Sequence, residues 1–188
     1  MIDRHLISLA IALQHMDQDV PNLQIWGRAA ASALAAGGRL FACGAGASAQ
    51  QARHVVTELA GPEDDRPPLP VGTLSTVSHV HNVCQSGDVM LCLSATGVDE
   101  GVAAAATAAG ELGVTTWGLT GPAPNDVAAA CAEAVCVDAP ATTTVEEVQL
   151  AATHIFCAAL NCAIRDAVRA GQQLPGSQPA ARSGRPAA

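Results

Sequence analysis

Two pairs of histidine and carboxylate side chains have the spacing needed for joint chemistry. His54 and Glu58 are four residues apart, and Glu146 and His154 are eight apart, so each pair shares one face of a helix. Facing each other across a cleft, they fit a zinc or other divalent-metal site. They fit equally a carboxylate base and an imidazole acid that move a proton beside a carbonyl group. A surface ion pair beside a core histidine is the third interpretation.

Two segments of small residues have the composition of anion-binding loops. They are Gly44-Ala45-Gly46-Ala47-Ser48 and Ser94-Ala95-Thr96-Gly97. Where such a loop leads into a helix, backbone N–H groups and hydroxyls can approach a phosphate, although each loop alone is also compatible with an ordinary tight turn. From Ser48 to His54 a helix rises about 9 Å. That distance matches the span from the phosphate to the carbonyl end of an extended sugar phosphate.

The composition excludes several classes of function. The formal net charge is -8, which disfavours nucleic-acid binding because that needs a basic surface. All basic residues are arginine, so Schiff-base catalysis and a P-loop lysine are excluded. A Gly-x-Gly-x-x-Gly motif is also missing, which disfavours a dinucleotide site.

The cysteines and the apolar runs predict a cytoplasmic protein. The 7 cysteines form no Cys-x-x-Cys pair, a usage typical of reduced, buried thiols. No apolar run reaches the roughly 20 residues of a membrane span. We therefore expect neither a membrane nor a nucleic acid among the partners.

Short apolar strands alternate with helical stretches along most of the chain. This order predicts an α/β protein with a three-layer, doubly wound sheet of about five mostly parallel strands. Two helices precede the first strand. We predict one domain over residues 1–170, with a helical preface over 1–37 and an α/β core over 38–170, followed by a disordered tail over 171–188. The two small-residue loops then lie at the carboxyl edge of the sheet.

Several separated motifs together resemble the sugar isomerase (SIS) fold, specifically the phosphoheptose isomerases. The resemblance covers roughly residues 1–170. It is carried by these segments: Leu40-Phe41-Ala42-Cys43-Gly44-Ala45-Gly46-Ala47-Ser48-Ala49, His54-Val55-Val56-Thr57-Glu58-Leu59, Arg66-Pro67-Pro68-Leu69, Gly87-Asp88-Val89-Met90-Leu91, Ala109-Gly110-Glu111-Leu112-Gly113-Val114 and Val145-Glu146-Glu147-Val148, with His154 beyond.

The resemblance implies an activity and roles for particular residues. It implies conversion of sedoheptulose 7-phosphate to a D-glycero-heptopyranose 7-phosphate through an enediol, with Glu58 as base and His154 as acid. It also implies a homotetramer and a zinc site. The implied metal positions are His54, Glu58, Glu146 and His154, and the implied phosphate-pocket positions are Ser48, Ser94, Thr96, Gly97 and Asp99.

This chain departs from the family pattern at several positions. Asp99 replaces a phosphate-binding serine, and a carboxylate about 4 Å from a phosphate costs on the order of 4 kcal/mol per charge pair at an effective dielectric near 20. Either Asp99 points away as a helix cap, or the ligand differs. Glu146 replaces a glutamine, and the family's Asn-Asp loop and helix are missing before Gly87. A non-catalytic SIS domain that binds a sugar phosphate or a partner protein is therefore the alternative hypothesis.

The segment before this gap contains two further histidines. His79 and His81 alternate along the chain, which is the pattern of a strand. Such a strand could bring them to the cleft, but a half-exposed strand end is the simpler interpretation. We therefore do not include them in the catalytic set.

Overall fold

The computed structural model describes residues 2–61 and 66–171, in which helices and strands alternate after two N-terminal helices. A short 3-10 turn joins those two helices. The elements are α1 (Ile2–Met16), the 3-10 turn (Asp17–Asp19), α2 (Val20–Ala35), β1 (Leu40–Gly44), α3 (Ala47–Ala60), β2 (Val71–Leu74), α4 (Val77–Val83), β3 (Val89–Ser94), α5 (Glu100–Glu111), β4 (Thr115–Thr120), α6 (Asp126–Ala130), β5 (Glu133–Cys136) and α7 (Thr142–Arg169).

The strands form one parallel sheet in the order β2-β1-β3-β4-β5. Cys43 of β1 lies opposite Leu74 of β2 on one side and Cys92 of β3 on the other. The chain thus builds outward from β1 in both directions, which makes the sheet doubly wound. The predicted α/β class and the number of strands are confirmed.

Two separate apolar cores cover the two faces of the sheet. One face packs against α2, α3 and α7, and Trp26, Trp117 and Phe156 lie within that core. The rings of Trp26 and Trp117 stack with their centroids 5.4 Å apart. The other face packs against α4, α5 and α6. Because the central strands β1 and β3 are buried on both sides, their sequences are nearly continuous apolar runs.

The helical preface packs against the last helix. Leu23, Trp26 and Leu34 of α2 are buried in the core that also contains the inner face of α7. Gly27 lets the two helices approach closely, since a Cβ there would lie 2.6 Å from the carbonyl oxygen of Phe156. α7 is the one described helix long and apolar enough to cross a membrane, and half of its apolar window is buried in the protein. Its place in the core accounts for that composition.

The prediction of a strand through His79 and His81 is wrong. Both residues lie in the helix α4, which begins after Thr76, whose side chain accepts a hydrogen bond from the backbone N–H of His79. A threonine cap stabilises the first turn, and alternation across three residues is too short a pattern to exclude a helix. The tail predicted over 171–188 lies, apart from Gly171, outside the described residues.

Candidate active site

The two small-residue loops meet where the strand order reverses. β1 and β3 are neighbours, and the helices that follow them, α3 and α5, pack on opposite faces of the sheet. Such a switch point opens a crevice outside the carboxyl ends of the strands. The loops are joined directly, because the backbone N–H of Ala95 donates to Ser48 Oγ at 3.2 Å.

Helices α3 and α7 bring three of the predicted side chains together. His54 and Glu58 lie one turn apart on α3, with 3.6 Å between His54 Nε2 and Glu58 Oε2. His154 reaches them from α7, with its Nε2 2.9 Å from His54 Nε2 and 3.9 Å from Glu58 Oε2. Both histidine side chains are about half exposed. The predicted facing of the two helices therefore brings two imidazoles and one carboxylate together at a partly exposed position between α3 and α7.

The donor atoms of this cluster fit a divalent metal ion. One ligand atom from each of His54, Glu58 and His154 lies within 4.8 Å of the others. Around tetrahedral zinc, with bonds of about 2.0–2.1 Å, donor atoms lie about 3.3 Å apart. Glu58 Oε2 is buried and makes no hydrogen bond, as expected of an oxygen that has a ligand still to bind. An ion at this point would take three protein ligands and keep a position open.

Glu146, the fourth predicted metal position, is not part of this cluster. It precedes His154 by eight residues on α7, which corresponds to about 12 Å of helix rise. Its backbone carbonyl accepts a hydrogen bond from Gln51 Nε2 at 2.7 Å, which ties the start of α7 to α3. The structure therefore brings together three of the four predicted ligands.

The glycine in the second loop is required by its backbone conformation. Gly97 has φ of 74°, a region that residues with a side chain rarely adopt. A Cβ at this position would lie 2.4 Å from Cγ of Asn125. Asn125 is itself held in place, because it caps α6 and its Nδ2 donates to Thr120 Oγ1 at 3.0 Å. The backbone of Gly97 and the fixed side chain of Asn125 together determine the conformation of the loop.

Asp99 points into this loop and not away from it. It occupies the cap position of α5, yet its side chain makes no capping bond. Instead, its Oδ2 accepts hydrogen bonds from the hydroxyl of Ser94 and, at 3.3 Å, from that of Thr96. Ser94 Oγ also accepts the backbone N–H of Gly97 at 2.8 Å. A carboxylate therefore lies on the hydroxyls predicted to bind phosphate.

Two glutamines, the buried Gln149 and the half-buried Gln51, also pack against this part of the molecule, and sequence reasoning missed both. Gln149 is fully buried on α7, and its Nε2 donates to the carbonyl oxygens of Ser94 at 3.2 Å and Leu119 at 2.9 Å. Its Oε1 has no partner, and neither has Oε1 of Gln51. The available signal was a polar amide inside the apolar stretch of the last helix.

Comparisons with known proteins agree with this geometry. No family model matches the chain. The phosphoheptose isomerase of Streptomyces coelicolor is 39% identical over 179 residues, which cover 85% of this chain and 78% of that protein. The phosphoheptose isomerase of Desulfovibrio desulfuricans is 32% identical over 68% of this chain and 70% of that protein.

A solved structure shares the fold at lower sequence identity. The phosphoheptose isomerase of Francisella tularensis superposes with a TM-score of 0.80 at 20% identity, covering 86% of this chain and 96% of that one. The chain belongs to the phosphoheptose isomerase family.

Proposed function

We propose that this protein is an aldose–ketose isomerase that converts sedoheptulose 7-phosphate to a D-glycero-heptopyranose 7-phosphate. The names of its relatives support this activity. Within the molecule, the proposal rests on one observation: the Glu58 carboxylate lies within 4 Å of both His54 and His154, between α3 and α7. A carboxylate beside an imidazole is the pair that proton transfer next to a carbonyl requires. The non-catalytic hypothesis is not favoured, because this pair is retained.

The proton movements follow from the two side chains. Glu58 removes a proton from C1 of the ketose, while His154 donates a proton to the carbonyl oxygen at C2, which gives an enediol. The proton on Glu58 can exchange with solvent at this stage; Glu58 then protonates C2, the C1 hydroxyl gives up its proton to His154, and the carbonyl forms at C1. Each residue ends in the protonation state in which it began, as a catalyst must.

The phosphate would be held at the two joined loops. Ser48, Ser94 and Thr96 supply hydroxyls there, and Gly97 allows a close approach of the backbone. Small residues and a helix start are the common features of phosphate sites. In this arrangement the phosphate fixes one end of the sugar, and the carbonyl end extends along α3 toward Glu58.

We include zinc in the proposal, with His54, Glu58 and His154 as the ligands that the geometry supports and Glu146 as the family's fourth position. Bound there, zinc would act as a Lewis acid that polarises the substrate's oxygens. Because an atom held by zinc cannot also exchange a proton, Glu58 would act as base through its other oxygen and His154 as acid through its other ring nitrogen. Elemental analysis of protein purified with zinc, beside a His54→Gln variant, tests the site without an activity assay. We expect about one zinc per chain, and loss of that metal in the variant. An equal metal content in both proteins would contradict this ligand set.

We also propose a cytoplasmic homotetramer. The absence of disulfide bonds among all seven cysteines supports the location, since a reducing compartment keeps thiols free. Exposed apolar side chains on α1, including Leu6, Ile7 and Ile11, support assembly because a surface of this kind is normally covered. Light scattering of the wild type and of an Ile7→Glu variant would measure the number of chains.

The activity is tested by following hydrogen exchange during turnover. Zinc-loaded protein is incubated with sedoheptulose 7-phosphate in deuterated water and observed by NMR, beside Glu58→Gln. We expect an aldose product with deuterium at C2 in the wild type, and neither product nor label in the variant. Product without label would mean that Glu58 returned the abstracted proton before it exchanged with solvent. Product formed equally by Glu58→Gln would contradict Glu58 as the base, and no product from a folded, zinc-loaded protein would contradict the activity.

A further inference from the structure

We propose that Asp99 is an internal competitor for the substrate's phosphate and thereby sets how strongly the site prefers phosphorylated ligands. This inference rests on the proposed function, because it concerns the phosphate end of the same site. It starts from the two hydrogen-bond partners that Asp99 has in the structure. The carboxylate of Asp99 lies on the hydroxyl groups of Ser94 and Thr96.

Both hydroxyl donors of the loop are already used. The Ser94 and Thr96 hydroxyls both donate to Asp99 Oδ2. Each also accepts from the backbone, Ser94 Oγ from Gly97 N–H at 2.8 Å and Thr96 Oγ1 from Val98 N–H at 3.4 Å. A hydroxyl has one proton to donate. A phosphate can therefore receive these two bonds only after Asp99 has released them.

Charge acts in the same direction as the hydrogen bonds. A phosphate at the loop would lie next to the Asp99 carboxylate, and like charges at contact distance repel. None of the ion pairs described for this chain involves Asp99, and its polar partners are two neutral hydroxyls. Asp99 is also only partly buried, so its side chain has space to rotate away from the two hydroxyls.

A second position for the carboxylate is available one turn along the chain. Asp99 is the cap residue of α5, and its side chain makes no capping bond in the observed state. Rotation about its side-chain bonds would let it accept from the N–H groups of the helix's first turn, the usual partners of an aspartate at this position. That capping bond offsets part of the cost of leaving the hydroxyls. Phosphate binding is thus coupled to a move of the Asp99 carboxylate from the loop hydroxyls to the first turn of α5. An unphosphorylated ligand does not require this move.

The test compares the affinity for phosphate of three full-length variants. Asp99→Ser restores a hydroxyl, Asp99→Asn removes only the charge, and Glu100→Gln is the matched control, because Glu100 neighbours Asp99 but makes none of the loop's hydrogen bonds. Inorganic phosphate is titrated against each by phosphorus NMR at fixed ionic strength. We expect Asp99→Ser to lower the dissociation constant about tenfold, Asp99→Asn to lower it less, and Glu100→Gln to change it less than about twofold.

The outcomes separate this inference from the proposed function. An unchanged or weaker affinity in both Asp99 variants would overturn the inference, as would an equal gain in Glu100→Gln. A merely structural role for Asp99 would lower affinity and thermal stability together, so a gain in affinity distinguishes competition from scaffolding. The phosphate titration does not depend on turnover: tighter phosphate binding without isomerase activity would refute the proposed activity and leave the competition in place. With activity, we expect KM for sedoheptulose 7-phosphate to fall in Asp99→Ser.

Discussion

Buried polar groups at the amino edge of the sheet and on the helices α3 and α7 differ in whether they have hydrogen-bond partners. At the amino edge, the fully buried Asp88 accepts hydrogen bonds from the backbone N–H of Arg39 at 2.9 Å, from the Arg39 guanidinium at 2.6 Å and from the N–H of Gln85 at 3.0 Å. On the helices α3 and α7, buried oxygens of Glu58, Gln51 and Gln149 have no hydrogen-bond partner.

This difference separates a structural network from a binding site. A buried polar group without a partner costs free energy, so native proteins normally satisfy such groups. The amino edge follows that rule and stabilises the start of β1 and β3. On α3 and α7, the unsatisfied Oε2 of Glu58 lies within 4 Å of both histidines, where a ligand can supply the missing bond. The network at the amino edge thus stabilises the fold, and the cluster on the two helices is the candidate for chemistry.

The largest effect that would test this comparison is expected at His154. We predict that His154→Gln lowers kcat about 10²- to 10⁴-fold, because the general acid is lost. The side chain is 52% exposed, so the midpoint of thermal unfolding should change little. His81→Gln, the same substitution on an exposed histidine of α4, is the control. Steady-state kinetics and thermal melts measure both effects, and a large loss of stability in His154→Gln would contradict a purely chemical role.

At the amino edge we expect the reverse, a loss of stability with little change in kcat. Asp88→Asn leaves the Arg39 guanidinium without its charged partner, and we predict a loss of about 2–3 kcal/mol in the free energy of unfolding. The hydrogen bond to Asp88 raises the pKa of Arg39, so the arginine stays charged at any pH at which the protein is handled. Urea titration measures the loss, with exposed Asp17→Asn as control. A fall in kcat of the folded variant that matched the loss at His154 would break the comparison.

A smaller effect, on both stability and phosphate binding, is expected at Gly97. A Cβ added to Gly97 meets Asn125 and strains a backbone at positive φ, so we predict that Gly97→Ala costs about 1–2 kcal/mol of stability. The loop should also hold phosphate less well, which raises KM several-fold. Gly101→Ala is the matched control, since a Cβ there has open space. An unchanged KM in Gly97→Ala would show that the loop shape is not needed for binding.

The smallest effect concerns Cys43, which lies on β1 between the two edges. Burial raises the pKa of its thiol from 9.0 to about 11. The unfolded chain therefore loses this proton at a lower pH than the folded chain does, and the stabilisation present below pH 9 is lost as the pH rises toward 11. We predict a decrease of about 1–2 kcal/mol in the free energy of unfolding over that window. Urea titrations at pH 8.5 and 10.5 check it, with Cys43→Ser expected to show a smaller change.

Local sequence patterns were sufficient for most of the fold. Each strand of the sheet is a short apolar run followed by small residues, and each long helix has apolar positions at helical spacing, so element type could be predicted within a few residues of the observed bounds. The exception was α4, where seven residues give too little periodicity to distinguish a helix from a strand. Its hydroxyl cap at Thr76 was the decisive local feature.

The sequence by itself determined the α/β architecture, the two phosphate-type loops and the residue types available for proton transfer, because these depend on neighbours in the chain. Only the tertiary structure decided which of those residues meet. It placed His154 against His54 across 100 positions, left Glu146 out of the cluster and turned Asp99 onto the loop hydroxyls. Such contacts depend on how helices cross and which way side chains turn, and spacing along one helix carries no information about either.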